Sequence, residues 1–169
     1  NKKTRDKVIT REFVQKKGKP FNKFLVRRSV ERVYNLGFFD DVNVRMLPGE
    51  QDPNNVIIEI DVLEHKTGTI TLGAGYSKSD GLMGIVEFGE DNLRGTGDKF
   101  KVHWEIGGKK KYKNYQISYL KPWIDSKGTS LGFSFFNRED EYTDYNEDGS
   151  EVAEYNKKSR GFNISFGRQ

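Results

Sequence analysis

Two histidines, His65 and His103, are the first side chains to weigh for chemistry, and they stand far apart in a chain of 169 residues. A zinc centre wants three or four convergent ligands. The chain has no cysteine, and no other group is spaced to complete such a set. His103 therefore reads as a plain polar side chain. The run Asp144-x-Asn146-x-Asp148-Gly149 copies the opening of a calcium loop. That loop must close with a bidentate carboxylate at its twelfth position. Here the twelfth position is Tyr155, and Glu154 misses it by one. The flanking residues alternate like strands, so Asp148-Gly149 reads as a hairpin tip. No Gly-x-x-x-x-Gly-Lys-[Ser/Thr] phosphate loop is present, and no nucleophile turn of the Gly-x-Ser-x-Gly type is assigned. This reading contains no metal, no cofactor and no enzyme. The chemistry left is that of the backbone: an extended segment can add to an exposed sheet edge through main-chain hydrogen bonds that demand no single sequence.

The elements that would present such an edge show in a change of period near Thr67. After it come about six runs in which apolar and polar residues alternate, as they do along a strand with one apolar and one wet face. Phe100, Val102, Trp104 and Ile106 share a face, with Lys99, Lys101, His103 and Glu105 on the other. Tyr115, Ile117 and Tyr119 repeat the pattern, followed by Leu131, Phe133 and Phe135, then Phe162, Ile164 and Phe166; Phe88 joins the same set. The strands read as 68–77, 81–92, 97–108, 112–121, 128–140 and 155–168. Membrane barrels carry this signature in strands of roughly ten residues, and a soluble β-sandwich carries it as well.

Composition narrows the choice. With 34% hydrophobic residues and a mean hydropathy of −0.82, the chain has no run of about 18 apolar residues to make a membrane helix. A barrel remains open, because half of each of its strands is polar. The 18 glycines suit tight turns, and 12 Phe, 8 Tyr and 2 Trp suit interfacial girdles. The net charge of +4 comes from interspersed charges of both signs, a weak argument for nucleic acid. Stacking of bases would need aromatic and basic residues on one face, whereas Trp104, Tyr119 and Phe133 alternate away from the lysines. The basic clusters at Lys16-Lys17-Lys19, Arg27-Arg28 and Lys109-Lys110-Lys111 read as solvated, the last at a hairpin tip. No signal peptide opens the chain, and Asn1-Lys2-Lys3 reads as a cut inside a longer one.

Residues 1–66 read as a small domain of helix, helix, strand, strand. Thr4 is placed to cap a first helix running to about Gln15, with Ile9 and Phe13 on one face. Asn22 caps a second, with Phe21 and Val26 as a staple and Val26, Val30 and Val33 as the buried stripe. Gly37 suits a left-handed cap. Phe38-Phe39 then leads into a strand with Val42, Val44 and Met46 inward, and a turn over 48–55 returns into Val56, Ile58, Ile60 and Val62 on one face. Two helices need more sheet than this to cover them, so a first strand is expected upstream.

The segment Arg32-x-Tyr34-Asn35-Leu36-Gly37-Phe38-Phe39-x-x-Val42-x-Val44 resembles a POTRA (polypeptide-transport-associated) domain. Gly73-Ala74-Gly75-Tyr76, then Glu90-Asp91-Asn92-Leu93-Arg94-Gly95-Thr96-Gly97, then Tyr119-Leu120-Lys121-Pro122-Trp123 resemble successive barrel segments of the BamA-type outer-membrane assembly proteins. The likeness covers nearly the whole chain, in order. It implies an α+β POTRA domain over 1–66 followed, over 67–169, by an antiparallel all-β segment of a transmembrane β-barrel. That barrel is incomplete at about six strands, since closure takes about eight or more. It also implies a bacterial outer-membrane location with the POTRA domain in the periplasm. The connections at 77–81, 107–113 and 139–158 then lie outside the cell, and those at 94–97 and 122–127 in the periplasm. Arg160-Gly161-Phe162 copies a tip that the family carries much later in the chain; Phe162 fits the apolar face, so the match reads as coincidence.

The partners implied are unfolded outer-membrane proteins, outer-membrane lipid and accessory assembly proteins, with no nucleic acid. The resemblance makes the backbone of Thr69, Ile70, Thr71, Leu72, Gly73 and Ala74 a lateral gate that templates client strands. Its small residues are expected to pair weakly. The edges near 42–47 and 56–62 of the first domain offer a second place for strand addition. Raw edges also predict self-association of the isolated chain. Rival readings are a polypeptide secretion pore of the same superfamily and a soluble β-rich binding domain.

Overall fold

A computed structural model describes residues 3–49, 55–77, 81–108, 112–146, 149 and 151–168. The chain folds as two compact units. One is Asn1–Thr67 together with Asp91–Gly97; the other is Gly68–Glu90 together with Asp98–Gln169.

In the first unit, helices α1 (Asp6–Thr10) and α2 (Lys23–Tyr34) accompany a two-stranded antiparallel sheet of β1 (Phe39–Pro48) and β2 (Val56–Glu64). The core is Val8, Ile9, Val33, Phe38 and Phe39, with Phe13, Leu36, Val42, Ile60 and Val62 packed against it. α2 starts as its sequence dictates: the Asn22 carboxamide oxygen accepts from the Phe24 and Leu25 amides at 2.9 and 3.3 Å. Gly37, at φ +70°, stops it.

α1 is shorter than its pattern predicts, and Thr4 does not cap it. The residue flanking the helix is Arg5, with no side-chain cap bond. The cause lies on α2, where Ser29 is fully buried. Its hydroxyl donates to the Leu25 carbonyl at 2.7 Å and accepts from the amides of Val14 and Gln15 at 2.9 and 3.3 Å. Those amides would otherwise extend the helix, so a tertiary acceptor ends it. Glu12, 5% exposed, accepts from Arg32 Nε and Nη2 at 3.2 and 3.0 Å and fixes the same junction. Three smaller expectations also change. Phe21 is exposed, so its half of the staple is not buried; Met46 is exposed because it lies beyond the reach of the two helices' core; and Val56 is exposed at the start of β2. Most of the turn expected over 48–55 lies outside the described residues; its ends meet where the Gly49 amide donates to the Asn55 carbonyl at 2.8 Å.

The second unit is a six-stranded antiparallel sheet in the order β3 (Gly68–Ser77), β4 (Gly81–Leu93), β5 (Asp98–Gly107), β6 (Tyr112–Lys121), β7 (Thr129–Tyr145) and β8 (Glu151–Arg168). Strictly sequential order makes it a meander, and β3 and β8 are its two unclosed edges. β7 and β8 run further than alternation predicts. The expected connection over 139–158 is mostly ladder, with pairs from Glu139↔Lys158 through Tyr142↔Tyr155 to Tyr145↔Glu151. Hydropathy hid these strands because their residues are charged on both faces. Pairing of acidic with basic positions, with Lys158 Nζ 3.3 Å from Glu139 Oε1, supplies what apolar alternation does not.

Candidate functional site

The first candidate is the outer edge of β3. On its inner side β3 is paired with β4 in unbroken register from Gly68↔Glu90 to Ser77↔Gly81. All six predicted gate residues, Thr69 to Ala74, sit in this ladder. In an antiparallel strand alternate residues turn their N–H and C=O groups to either side. A strand with one neighbour therefore presents a row of unpaired groups along its free side. Gly73 and Gly75 leave the strand thinly covered: a Cβ at Gly73 would meet Ile85 at an ordinary 3.7 Å, and one at Gly75 would meet nothing within 4 Å.

The second candidate is the apolar face. The ladder registers place Trp104 opposite Tyr115, Val102 opposite Ile117 and Phe100 opposite Tyr119. Ile117, Phe135 and Phe162 form one row across three strands; Tyr119, Phe133 and Ile164 form the next; Leu131 pairs with Phe166. Ring pairs bind the rows, including Phe88–Phe100 edge-on at 6.4 Å and Phe133–Phe162 stacked at 6.0 Å. Phe88, Trp104, Ile106, Tyr115, Ile117, Phe133, Phe135, Phe162, Ile164 and Phe166 are exposed, while Phe100, Val102, Tyr119 and Leu131 are half-buried. Ile70 and Leu72, assigned from the sequence only as gate backbone, carry the same face onto β3, at 72% and 75% exposure, opposite Phe88 and Val86. An exposed aromatic sheet face this broad requires a cover that water does not supply. Tyr119 adds a polar terminus, its hydroxyl donating to Asp98 Oδ2 at 2.8 Å.

The opposite face is polar. His103 Nδ1 lies 2.7 Å from Glu87 Oε1, and in the first unit His65 Nδ1 lies 3.3 Å from Asp40 Oδ1. Among the described residues no group of three His, Asp or Glu side chains could hold a metal. In the calcium-like run, Asp144 is paired with Ala153 inside the β7–β8 ladder, and Gly149 at φ +80° turns the tip; Asp148 lies outside the described residues. Gly128-Thr129-Ser130-Leu131-Gly132 does match the Gly-x-Ser-x-Gly spacing, a match the sequence reading passed over. It runs into β7 with Ser130 opposite Gly167, whereas the nucleophile motif needs a sharp strand-to-helix turn.

The turn Asp91–Gly97 belongs to the first unit. Asn92 is 1% exposed; its amide Nδ2 donates to Thr4 Oγ1 at 2.8 Å and its Oδ1 accepts from the Gly97 amide at 2.9 Å. The Arg5 amide donates to the Gly95 carbonyl at 2.8 Å. Gly95 and Gly97 have φ of +73° and +74°, and a Cβ at Gly95 would lie 1.8 Å from the Lys3 carbonyl oxygen. Thr4 is thus the partner of a turn almost ninety positions away, with its own amide held by Glu64 Oε1 at 2.6 Å. The glycines were legible as a turn; what they pack against was not.

A helix pair on a small sheet, followed by a sequential antiparallel sheet with an aromatic face, is what known families also combine. The POTRA model, described as a surface antigen variable number repeat, matches residues 1–65, and the Omp85 superfamily domain matches residues 92–169. The chain belongs to the Omp85 superfamily. It is 33% identical over 138 residues to the outer membrane protein assembly factor BamA of Neisseria meningitidis, covering 82% of this chain and 17% of that protein. The BamA of Neorickettsia risticii is 30% identical over 98% of this chain and 21% of its own length. The rice protein named outer envelope protein 80, chloroplastic, is 29% identical over 73% of this chain. A solved structure of Haemophilus ducreyi BamA lacking POTRA domains 1–3 superposes with a TM-score of 0.78 and 25% identity, covering 98% of this chain and 30% of that one. This Omp85 chain therefore spans about a fifth of the Neisseria and Neorickettsia BamA proteins, and it joins a POTRA domain to barrel strands of the BamA type.

Proposed function

We propose that the chain is part of an outer-membrane protein assembly factor. The POTRA domain lies in the periplasm and the six strands lie in the outer membrane. The backbone of β3 from Thr69 to Ala74 receives a segment of an unfolded outer-membrane protein as an added strand. What supports this reading is the place of β3, a ten-residue strand at one end of the sequential sheet that pairs with β4 and with no other described strand. Strand addition suits clients of many sequences, because affinity comes from main-chain groups. The edges of the POTRA sheet, β1 and β2, offer the same chemistry to segments still in the periplasm. The aromatic face is the lipid-facing wall; membrane lipid and accessory assembly proteins are the other partners. A piece cut out with both β3 and β8 open associates with itself edge to edge.

The test uses the natural-length protein with cysteine at Thr71 and a client carrying single cysteines along one strand. Templating gives a disulfide at the one client position that lies opposite Thr71, and moving the gate cysteine by two residues moves that position by two. A secretion pore instead gives crosslinks to the polar face, at Lys101 for example, and none with a register at Thr71; that result overturns the proposal.

A further inference from the structure

The apolar face does not end in apolar residues. At the β5–β6 end of the hairpin, Ile106 pairs with Lys113, so Lys113 shares the face of Trp104, Tyr115 and Ile117. A groove of about 290 Å³ on that face is lined by Val102, Trp104, Lys113, Tyr115 and Ile117. Lys113 is exposed, and no carboxylate among the described residues pairs with it. The next strands repeat the arrangement. Tyr115 pairs with Asn137 and Asn137 with Arg160, so Arg160 lies on the same face, two residues beyond Phe162. Arg160 Nε donates to Asn137 Oδ1 at 2.8 Å, and Asn137 Nδ2 donates to the Lys113 carbonyl at 3.0 Å. Lys158 follows on β8, with its Nζ 3.3 Å from Glu139 Oε1. Cations thus border an aromatic face, and of these, among the described residues, only Lys158 is paired with a carboxylate.

We infer that this border is a binding site for an anionic lipid. One acyl chain lies in the groove between Trp104 and Ile117, and the headgroup phosphate is met by Lys113 and Arg160. The charge is complementary: the Lys113 ammonium at the groove and the Arg160 guanidinium two strands away on the same face await an anion, and the groove itself is lined by apolar side chains and the stem of Lys113. A zwitterionic lipid would fill the groove equally well but brings its own cation to the border. The inference rests on the membrane-wall reading above and adds a headgroup preference to it.

The natural-length protein is reconstituted in vesicles of phosphatidylcholine and phosphatidylglycerol, with bromine on the chains of one lipid at a time. Subtracting the spectrum of Trp104→Phe isolates the Trp104 fluorescence. A lysine beside an anionic headgroup gives about a fivefold local enrichment. Brominated phosphatidylglycerol is therefore expected to quench Trp104 well beyond brominated phosphatidylcholine. The excess shrinks with added salt, vanishes in Lys113→Gln with Arg160→Gln, and returns in Lys113→Arg. Equal quenching by the two lipids, or an excess unchanged in the double variant, overturns the site while leaving the wall reading intact. If neither lipid quenches Trp104, the face does not meet lipid, and both readings fall.

Discussion

Replacing Gly95 with alanine tests whether the Asp91–Gly97 turn is seated on the residues before α1. The added Cβ would stand 1.8 Å from the Lys3 carbonyl oxygen, where real Cβ contacts essentially never fall under 3.0 Å. The two segments must part by more than about 1 Å, which carries the 2.8 Å bond from the Arg5 amide to the Gly95 carbonyl out of range. Alanine at φ +73° also costs about 1–2 kcal/mol of backbone strain. That strain is present whether or not the turn is seated, so it cancels from the opening equilibrium. The collision does not cancel, at about 1–3 kcal/mol for overpacking, and neither does the lost bond, at about 0.5–1.5 kcal/mol. Together they weaken seating by about 1.5–4.5 kcal/mol, or about 10-fold to 2,000-fold in the opening constant. Amide hydrogen exchange at Arg5 in the natural-length protein reads this opening directly. Gly37→Ala is the control: its φ is +70°, but a Cβ there meets nothing within 4 Å. It strains the end of α2 and leaves Arg5 exchange alone. Unchanged Arg5 exchange in Gly95→Ala, or equal acceleration in both variants, would refute the reasoning.

Three other outcomes are expected. Ser29→Ala strips the acceptor from the Val14 and Gln15 amides and destabilises the POTRA unit by about 1–3 kcal/mol, read as faster exchange at those two amides; unaltered protection there sinks the account of why α1 stops. Phe135→Arg on the apolar face costs about 2–4 kcal/mol of membrane folding, scored as folded fraction in vesicles, while Gln116→Arg on the opposite face of the neighbouring strand costs little; equal losses would mean that neither face meets lipid. Asp125 accepts from the Thr129 hydroxyl at 2.7 Å, the Thr129 amide at 3.0 Å and the Lys127 amide at 2.9 Å, and these bonds, led by the hydroxyl, lower its pKa from 3.8 to about 2. A lowered folded pKa means that the order of the β6–β7 turn is complete above about pH 4 and lost as pH falls through about 2. The amide shifts of Lys127 and Thr129 should titrate with that midpoint, and a midpoint near 4 would show the bonds absent.

Legibility followed the range of the interactions. The Asn22 cap and the Gly37 stop are contacts within one turn of chain, and both were readable from residue types. So was the aromatic face, because a period of two fixes which side chains share a side before any partner strand is known. The ends of β7 and β8 were not, because charged residues alternate without an apolar face and only cross-strand partners reveal the strand. The extent of α1 was misread for a related reason: Ser29, on another helix, takes the amides that the helix needed.

By itself, then, the sequence determined that a helix-and-strand domain precedes a series of two-faced strands and that one face is aromatic. Each of those follows from local periodicity or from the residue types present. The tertiary structure alone decided that Thr4 serves the turn at Asn92 instead of a helix, that Ile70 and Leu72 carry the apolar face onto β3, and that Lys113 and Arg160 share its border. All three are matters of register or of long-range contact. The pattern within a segment leaves register open, since sliding one strand by two residues keeps every side chain on its face and changes every neighbour.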